Sequence, residues 1–168
     1  MSEISESIQA KCLAFSDRII KLNDYLLEQA ASRMYDGRSK KYDVKGSKSA
    51  FSHQTSNISQ PSSFSHRTSR IPVHLQSVAA LANQLLRSGT SIGANNAEAA
   101  GAISKADFKS KSFIALKEAR ESLYWIDLLH RNGYLDDTQY QSIYNDCEEL
   151  VKILVTRCKT LNAEEKNE

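Results

Sequence analysis

Hydrophobic residues recur at alternating steps of four and three through the first part of the chain. Side chains spaced in this way share one face of an α-helix. The spacing predicts a first helix over residues 3–33, with an apolar stripe wide enough for a bundle helix. The stripe consists of Ile8, Cys12, Phe15, Ile19, Leu22 and Leu26, and it is widened by Ile4, Leu13, Ile20 and Leu27.

Three later stretches carry the same helical period. Ser104 and Asp107 fit a capping box at the start of one of them, and Asn132-Gly133 is a typical helix end. Thr138 and Gln141 form a second candidate capping box. Two short connections and one long one join the four helices, which predicts an all-α, antiparallel, up-and-down four-helix bundle. The later helices are predicted over residues 73–103, 105–131 and 138–162.

The segment 36–72 interrupts this pattern. Ten of its 37 residues are serine, and seven basic residues against two acidic ones give it a net charge of +5. Its apolar residues are too few to offset the entropy lost on ordering, so we expect a long disordered loop between helices 1 and 2. The segment is either a tolerated surface loop or a basic tether for RNA or another acidic partner. Its candidate binding residues are Arg38, Lys40, Lys41, Arg67 and Arg70.

Small residues at four-residue spacing mark the second predicted helix. On one side of a helix they would let another backbone approach closely, and a packing role is needed because helical glycine costs about 1 kcal/mol. This small-residue row is Gly89, Gly93, Ala97 and Gly101. A polar row lies beside it, which is either a hydrogen-bonded device that fixes helix register or a functional site. The polar row is Ser91, Asn95 and Glu98.

The third predicted helix is apolar on more than one side. Its inner stripe includes Leu116 and Ile126, whereas Phe113, Tyr124 and Trp125 place apolar surface elsewhere. A helix that is apolar on several faces must be buried on several faces. In a chain of this size the second burial predicts another subunit, with Trp125 among the assembly residues.

Composition places the chain among soluble, single-domain proteins. Residues 1–168 carry a net charge of +2, with 40% hydrophobic and 25% charged residues. No stretch approaches the 18 apolar residues of a membrane span, and the first residues lack the apolar run of a secretory signal. An odd number of cysteines on helical patterns indicates reduced core thiols in a cytoplasmic protein.

No catalytic or metal-binding pattern emerges. A di-metal bundle site needs two Glu-x-x-His motifs, and the chain has none. The run Ser88–Gly93 resembles a phosphate loop but lacks the Gly-Lys-Ser/Thr ending and follows a helix. We therefore expect a protein without catalytic residues, metal or cofactor.

Nucleic-acid binding is one of two functional hypotheses. On a helical projection Lys105, Lys109, Arg120 and Arg131 fall within an arc of about 80°. A symmetric ring would repeat this basic face into a surface suited to RNA or DNA phosphates. The alternative is a structural or adaptor ring that binds a protein partner.

Four short motifs resemble the bacterial four helix bundle protein family. They are Ser88–Asn95, Ser104–Phe108, Ile114–Ala119 and Glu121–Trp125. The family includes proteins encoded in intervening sequences of the large-subunit ribosomal RNA gene. The chain is also similar to the accessory variability proteins of diversity-generating retroelements. The resemblance implies a non-catalytic homopentamer, which in the retroelement relatives engages a reverse transcriptase and nucleic acid.

Overall fold

Four long helices make up the part of the chain that the structure describes. The structure is a computed structural model; it describes residues 3–35 and 73–165, with side chains from 7 to 32 and from 76 to 164. The predicted all-α bundle is confirmed. The segment 36–72 lies outside the described residues. The helices are α1 (Glu3–Tyr35), α2 (Val73–Ala100), α3 (Lys105–Arg131) and α4 (Asp137–Glu165).

The helix ends follow from local capping. The Ser104 hydroxyl accepts a hydrogen bond from the backbone N–H of Asp107 at 3.1 Å, as the capping box at the start of α3 predicts. Gly133 adopts a φ of 71°, the left-handed conformation that closes a helix at little cost to glycine. The second capping box is formed by Asp136 and Gln139, not by Thr138 and Gln141, because α4 begins one residue earlier than predicted.

The helices pack in chain order around one core. Each of α1, α2 and α3 contacts the next helix, and α4 closes the bundle against α1. In the described residues α1 and α3 make no direct helix contact, so they occupy opposite corners. The main stripe of α1 is buried, as expected, apart from Leu22, which is partly buried. Of the residues that widen it, Leu13, Ile20 and Leu27 are 56%, 45% and 36% exposed, and Ile4 lies outside the residues whose side chains are described.

Only half of the small-residue row contacts another helix. A Cβ on Gly89 would lie 3.1 Å from Ile19 Cγ1, and a Cβ on Gly93 would lie 3.3 Å from Cys12 Cβ, so α1 approaches α2 at these two positions. Ala97 is exposed, and Gly101 lies beyond the end of α2. Within the chain α1 therefore covers the first half of the row, because each four-residue step turns about 40° past a full turn and carries the row away from α1.

The polar row makes one contact between helices. Asn95 donates to the Ser91 carbonyl of its own helix at 2.9 Å. Glu98 forms an ion pair with Lys111 of α3, and this contact raises the pKa of Lys111. The buried polar groups that join the helices lie elsewhere.

Candidate functional site

A polar network centred on Asn96 joins all four helices at one end of the bundle. Asn96 is only 2% exposed. Its amide nitrogen donates to Gln9 Oε1 on α1 at 2.6 Å, and its amide oxygen accepts from Arg157 Nη1 on α4 at 2.7 Å. The Arg157 guanidinium lies 5.6 Å from the centre of the Phe108 ring on α3. One buried side chain therefore fixes the relative positions of its neighbours, because every buried polar atom must keep a partner.

The positively charged Arg157 of this network contacts neutral groups, namely the Asn96 amide and the Phe108 ring. Burial lowers the pKa of Arg157, and no carboxylate pairs with it among the described residues. Burial raises the pKa of the nearby Cys12 thiol to about 11 and also raises the pKa of Cys158. Both thiols are therefore neutral near pH 7, and a neutral thiol is a poor nucleophile and metal ligand. These features indicate a structural network.

The helical period of α2 does not predict this network, because Asn96 occupies a position where the period calls for an apolar residue. Ser88 and Ser122 likewise fall on the buried sides of α2 and α3, where their hydroxyl oxygens lie 2.9 Å apart. Each hydroxyl also contacts a carbonyl of its own helix, at Gln84 and Glu118. The sequence signal that could have indicated the Asn96 network and the Ser88–Ser122 contact is a polar residue at a position of the helical period that is otherwise apolar.

Metal-binding groupings are absent from the described ranges 3–35 and 73–165. Within them no three His, Cys, Asp or Glu residues come together as a metal site. Burial, together with the neighbouring Glu121, raises the pKa of Glu118. Glu121 itself accepts a hydrogen bond from the Trp125 indole nitrogen at 3.0 Å. None of the described helices is long and apolar enough to cross a membrane.

The predicted basic residues of α3 form an extended band. Lys105 and Arg131 are the first and last residues of this 27-residue helix, so their backbones lie about 39 Å apart. Asp127, which accepts a hydrogen bond from Tyr140 at 2.8 Å, interrupts the band between Arg120 and Arg131. The structure therefore does not gather the four cations into one cluster. The loop candidates Arg38, Lys40, Lys41, Arg67 and Arg70 lie outside the described residues.

Cations on the opposite side of the molecule are paired with acids. Lys11 of α1 contacts Glu149 of α4 at 2.9 Å, and Arg18 of α1 pairs with Asp146 of α4. By contrast, Arg120 on α3 is exposed and forms no ion pair with any residue that the structure describes. Arg120 therefore remains available for contacts outside this chain.

The outer side of α3 also exposes aromatic surface. Tyr124 is 58% exposed, and its ring meets Trp125 edge-on at 4.9 Å. Trp125 itself is half-buried, and Phe113 and Leu128 are also only partly covered. Aromatic and cationic side chains thus share one exposed surface, which is a composition typical of binding interfaces.

Comparisons with known proteins identify the family. A search of curated proteins found no match. The chain is similar to a solved structure of a protein of unknown function from the S23 ribosomal protein family of Bacteroides thetaiotaomicron, with 32% identity and a TM-score of 0.60. That match covers 92% of this chain and 97% of the other. Residues 65–156, more than half of the chain, match the model for the 23S rRNA-intervening sequence protein. The chain therefore belongs to the 23S rRNA-intervening sequence protein family.

Proposed function

We propose that this protein is a non-catalytic bundle that self-associates, as a pentamer, and binds nucleic acid through the basic residues that the assembly repeats. The observation that carries the self-association is the outer side of α3, where Tyr124 is exposed and the exposed Arg120 forms no ion pair with any residue that the structure describes. In a single chain both side chains remain exposed to solvent. The neutral, buried thiols support a role without covalent chemistry.

Self-association is supported by the apolar side chains that the fold leaves outside the core. Leu13, Ile20 and Tyr124 are each at least 45% exposed on helices that are otherwise well packed. Burying a large apolar side chain is worth about 1.5–3 kcal/mol, so repeated burial at subunit contacts favours assembly. Light scattering should give a mass about five times 18.8 kDa at micromolar concentration. A monomer would refute the assembly.

Nucleic-acid binding is supported by basic residues at the start of α3 and in the segment 36–72. Lys105 and Lys109 start the basic band of α3, and residues 36–72 add a net +5 in each copy. Phosphate contacts need only positive side chains and carry no sequence information. The description of the matched family refers to 23S rRNA, so RNA is the first nucleic acid to test.

A salt titration with a fluorescent single-stranded RNA tests this binding. One variant replaces Lys105, Lys109 and the five loop candidates with glutamine. The logarithm of the association constant should fall linearly with the logarithm of salt concentration, and the slope should shrink by about 0.7 for each phosphate contact that the variant loses. The control variant, Lys11→Gln with Lys152→Gln, removes two cations that are already paired with Glu149 and Glu148, so its slope should stay near that of the wild type.

The same experiment decides between the two functional hypotheses. An assembled protein that shows no RNA binding at about 100 mM salt would overturn the nucleic-acid proposal. The remaining hypothesis would then be a structural or adaptor ring, in which the helices present a surface to a protein partner. A reverse transcriptase would be a candidate partner under either hypothesis.

A further inference from the structure

An acidic apolar stripe runs along the outside of α1. Leu13, Ile20 and Leu27 are seven residues apart, so they fall within an arc of about 40°. Asp17 and Asp24, both exposed, lie between successive members of this series, within about 80° of them. Lys11 and Arg18, which reach α4, lie on a different side of the helix, so the stripe faces away from both the core and α4. We refer to these five side chains as the α1 stripe.

A basic apolar face runs along the outside of α3. Phe113, Lys117, Arg120 and Tyr124 fall within an arc of about 60°. Tyr124 is 58% exposed, both cations are exposed, and Phe113 is partly covered. The residues of this surface are spaced by four and seven positions along α3, as are those of the α1 stripe along α1. We refer to these four side chains as the α3 face.

The two surfaces are complementary in charge. Asp17 and Asp24 give the α1 stripe two negative charges, whereas Lys117 and Arg120 give the α3 face two positive ones. None of these four residues forms an ion pair within the described part of the chain. Two α1 stripes would repel each other, as would two α3 faces, whereas one of each attracts.

The fold also separates the two surfaces. Helices α1 and α3 stand at opposite corners of the bundle, because each packs on α2 and α4 and neither contacts the other in the described residues. One chain can therefore use its α1 stripe for one neighbour and its α3 face for another. A contact between two different surfaces repeats from copy to copy, and it forms a ring when the rotation closes.

We propose that the α1 stripe of one copy docks against the α3 face of the next copy. This inference rests on the proposed self-association and adds the surfaces that carry it. Burial of the apolar residues supplies most of the attraction, and the charges at their edges set which surfaces meet. Lys105 lies two turns before Phe113 and remains with the proposed nucleic-acid surface, whereas Arg120 is assigned to the subunit interface.

Charge reversal with mass measurement tests the pairing. The first variant carries Asp17→Lys and Asp24→Lys, and the second carries Lys117→Glu and Arg120→Glu. Each variant alone should bring charges of the same sign together and weaken assembly at least tenfold, measured by light scattering across a dilution series. A control, Arg87→Glu with Lys159→Glu, makes an equal change in charge on α2 and α4 and should leave the mass unchanged.

Rescue makes the test specific. A single chain that carries all four reversals should restore the wild-type mass, because each reversed α1 stripe then meets a reversed α3 face of opposite charge at every contact of the ring. Circular dichroism verifies that each variant is folded. If a charge pair fails to fold, Ile20→Gln, at an exposed position, tests the same stripe and should weaken assembly.

The outcomes separate the proposals. A monomeric wild type would refute the proposed self-association and this contact with it. Wild-type assembly that survives both reversals would overturn the contact alone. A loss caused by only one of the two variants would also overturn it, since the affected surface would then contact a surface other than the one proposed. An α1 stripe covered by the chain's own residues 36–72 would also leave the mass unchanged when Asp17 and Asp24 are reversed, and it would overturn the contact.

Discussion

Replacing Gly93 with leucine would place a side chain where α1 now lies. A Cβ at this position would already be 3.3 Å from Cys12 Cβ and 3.9 Å from the Cys12 carbonyl carbon. The first distance is tighter than most real contacts, and the second atom belongs to backbone, which cannot rotate away. Leucine adds three more carbons with no space to receive them. Overpacking of this kind costs about 1–3 kcal/mol.

The series Gly93→Ala and Gly93→Leu separates packing from helix propensity. Alanine gains about 1 kcal/mol of propensity over glycine, which offsets its tight contact, so its net effect on the free energy of unfolding should be small. Leucine gains a similar propensity but requires α1 to move. The propensity gain of about 1 kcal/mol offsets part of the overpacking cost of about 1–3 kcal/mol and leaves a net loss of up to about 2 kcal/mol. In a chain of this size 1 kcal/mol corresponds to about 2–4 °C in Tm, so we expect Gly93→Leu to lower Tm by up to about 8 °C.

Urea denaturation followed by circular dichroism provides the measurement, with all variants at the same protein concentration because assembly adds to apparent stability. The matched control is Ala94→Leu, which adds leucine at the next residue on the exposed side of α2 and should change stability by no more than about 0.5 kcal/mol. Equal stabilities for Gly93→Leu and Ala94→Leu would refute the close contact between α1 and α2.

Two further predictions concern the polar network and its thiols. Asn96→Leu should lower the free energy of unfolding by about 2–4 kcal/mol, because it leaves the half-buried Arg157 without its amide partner. Adding Arg157→Met should recover part of this loss. Strictly additive effects in a double-mutant cycle would contradict the coupling of the two residues. Burial raises the pKa of Cys12 to about 11 and that of Cys147 to about 12, from a usual 9.0. Their contribution to stability is present below pH 9 and should be lost as pH rises through those values; a urea midpoint that stays flat from pH 8 to 11 in the wild type would refute this.

Local signals in the sequence determine the helices and most of their ends. The apolar period of α1 and the Ser104 cap of α3 depend on residues within a few positions of each other, and the structure places both as expected. Ser104 and Asp107 are close along the chain, so no distant contact is needed to set their hydrogen bond. The start of α4 is predicted less accurately, because two overlapping capping boxes fit the sequence there. In the structure the cap is Asp136.

Tertiary packing decides which side of each helix is covered. The widened stripe of α1 could have faced the core, but α2 and α4 cover only one side and leave Ile20 exposed. The small-residue row could have met a helix along its whole length, but it winds past α1 after Gly93. Spacing along one helix therefore cannot say where its neighbours will lie.

Sequence alone thus determined a four-helix, all-α chain with a basic segment between its first two helices, because period, caps and charge are local properties. Only the tertiary structure decided that Asn96 joins all four helices, since its partners Gln9 and Arg157 lie 87 and 61 residues away. The tertiary structure also decided that the acidic α1 stripe and the basic α3 face stand at opposite corners of the bundle. The reason is that the arrangement of neighbouring helices, which cannot be read from the sequence of one helix, sets which surfaces the bundle leaves uncovered.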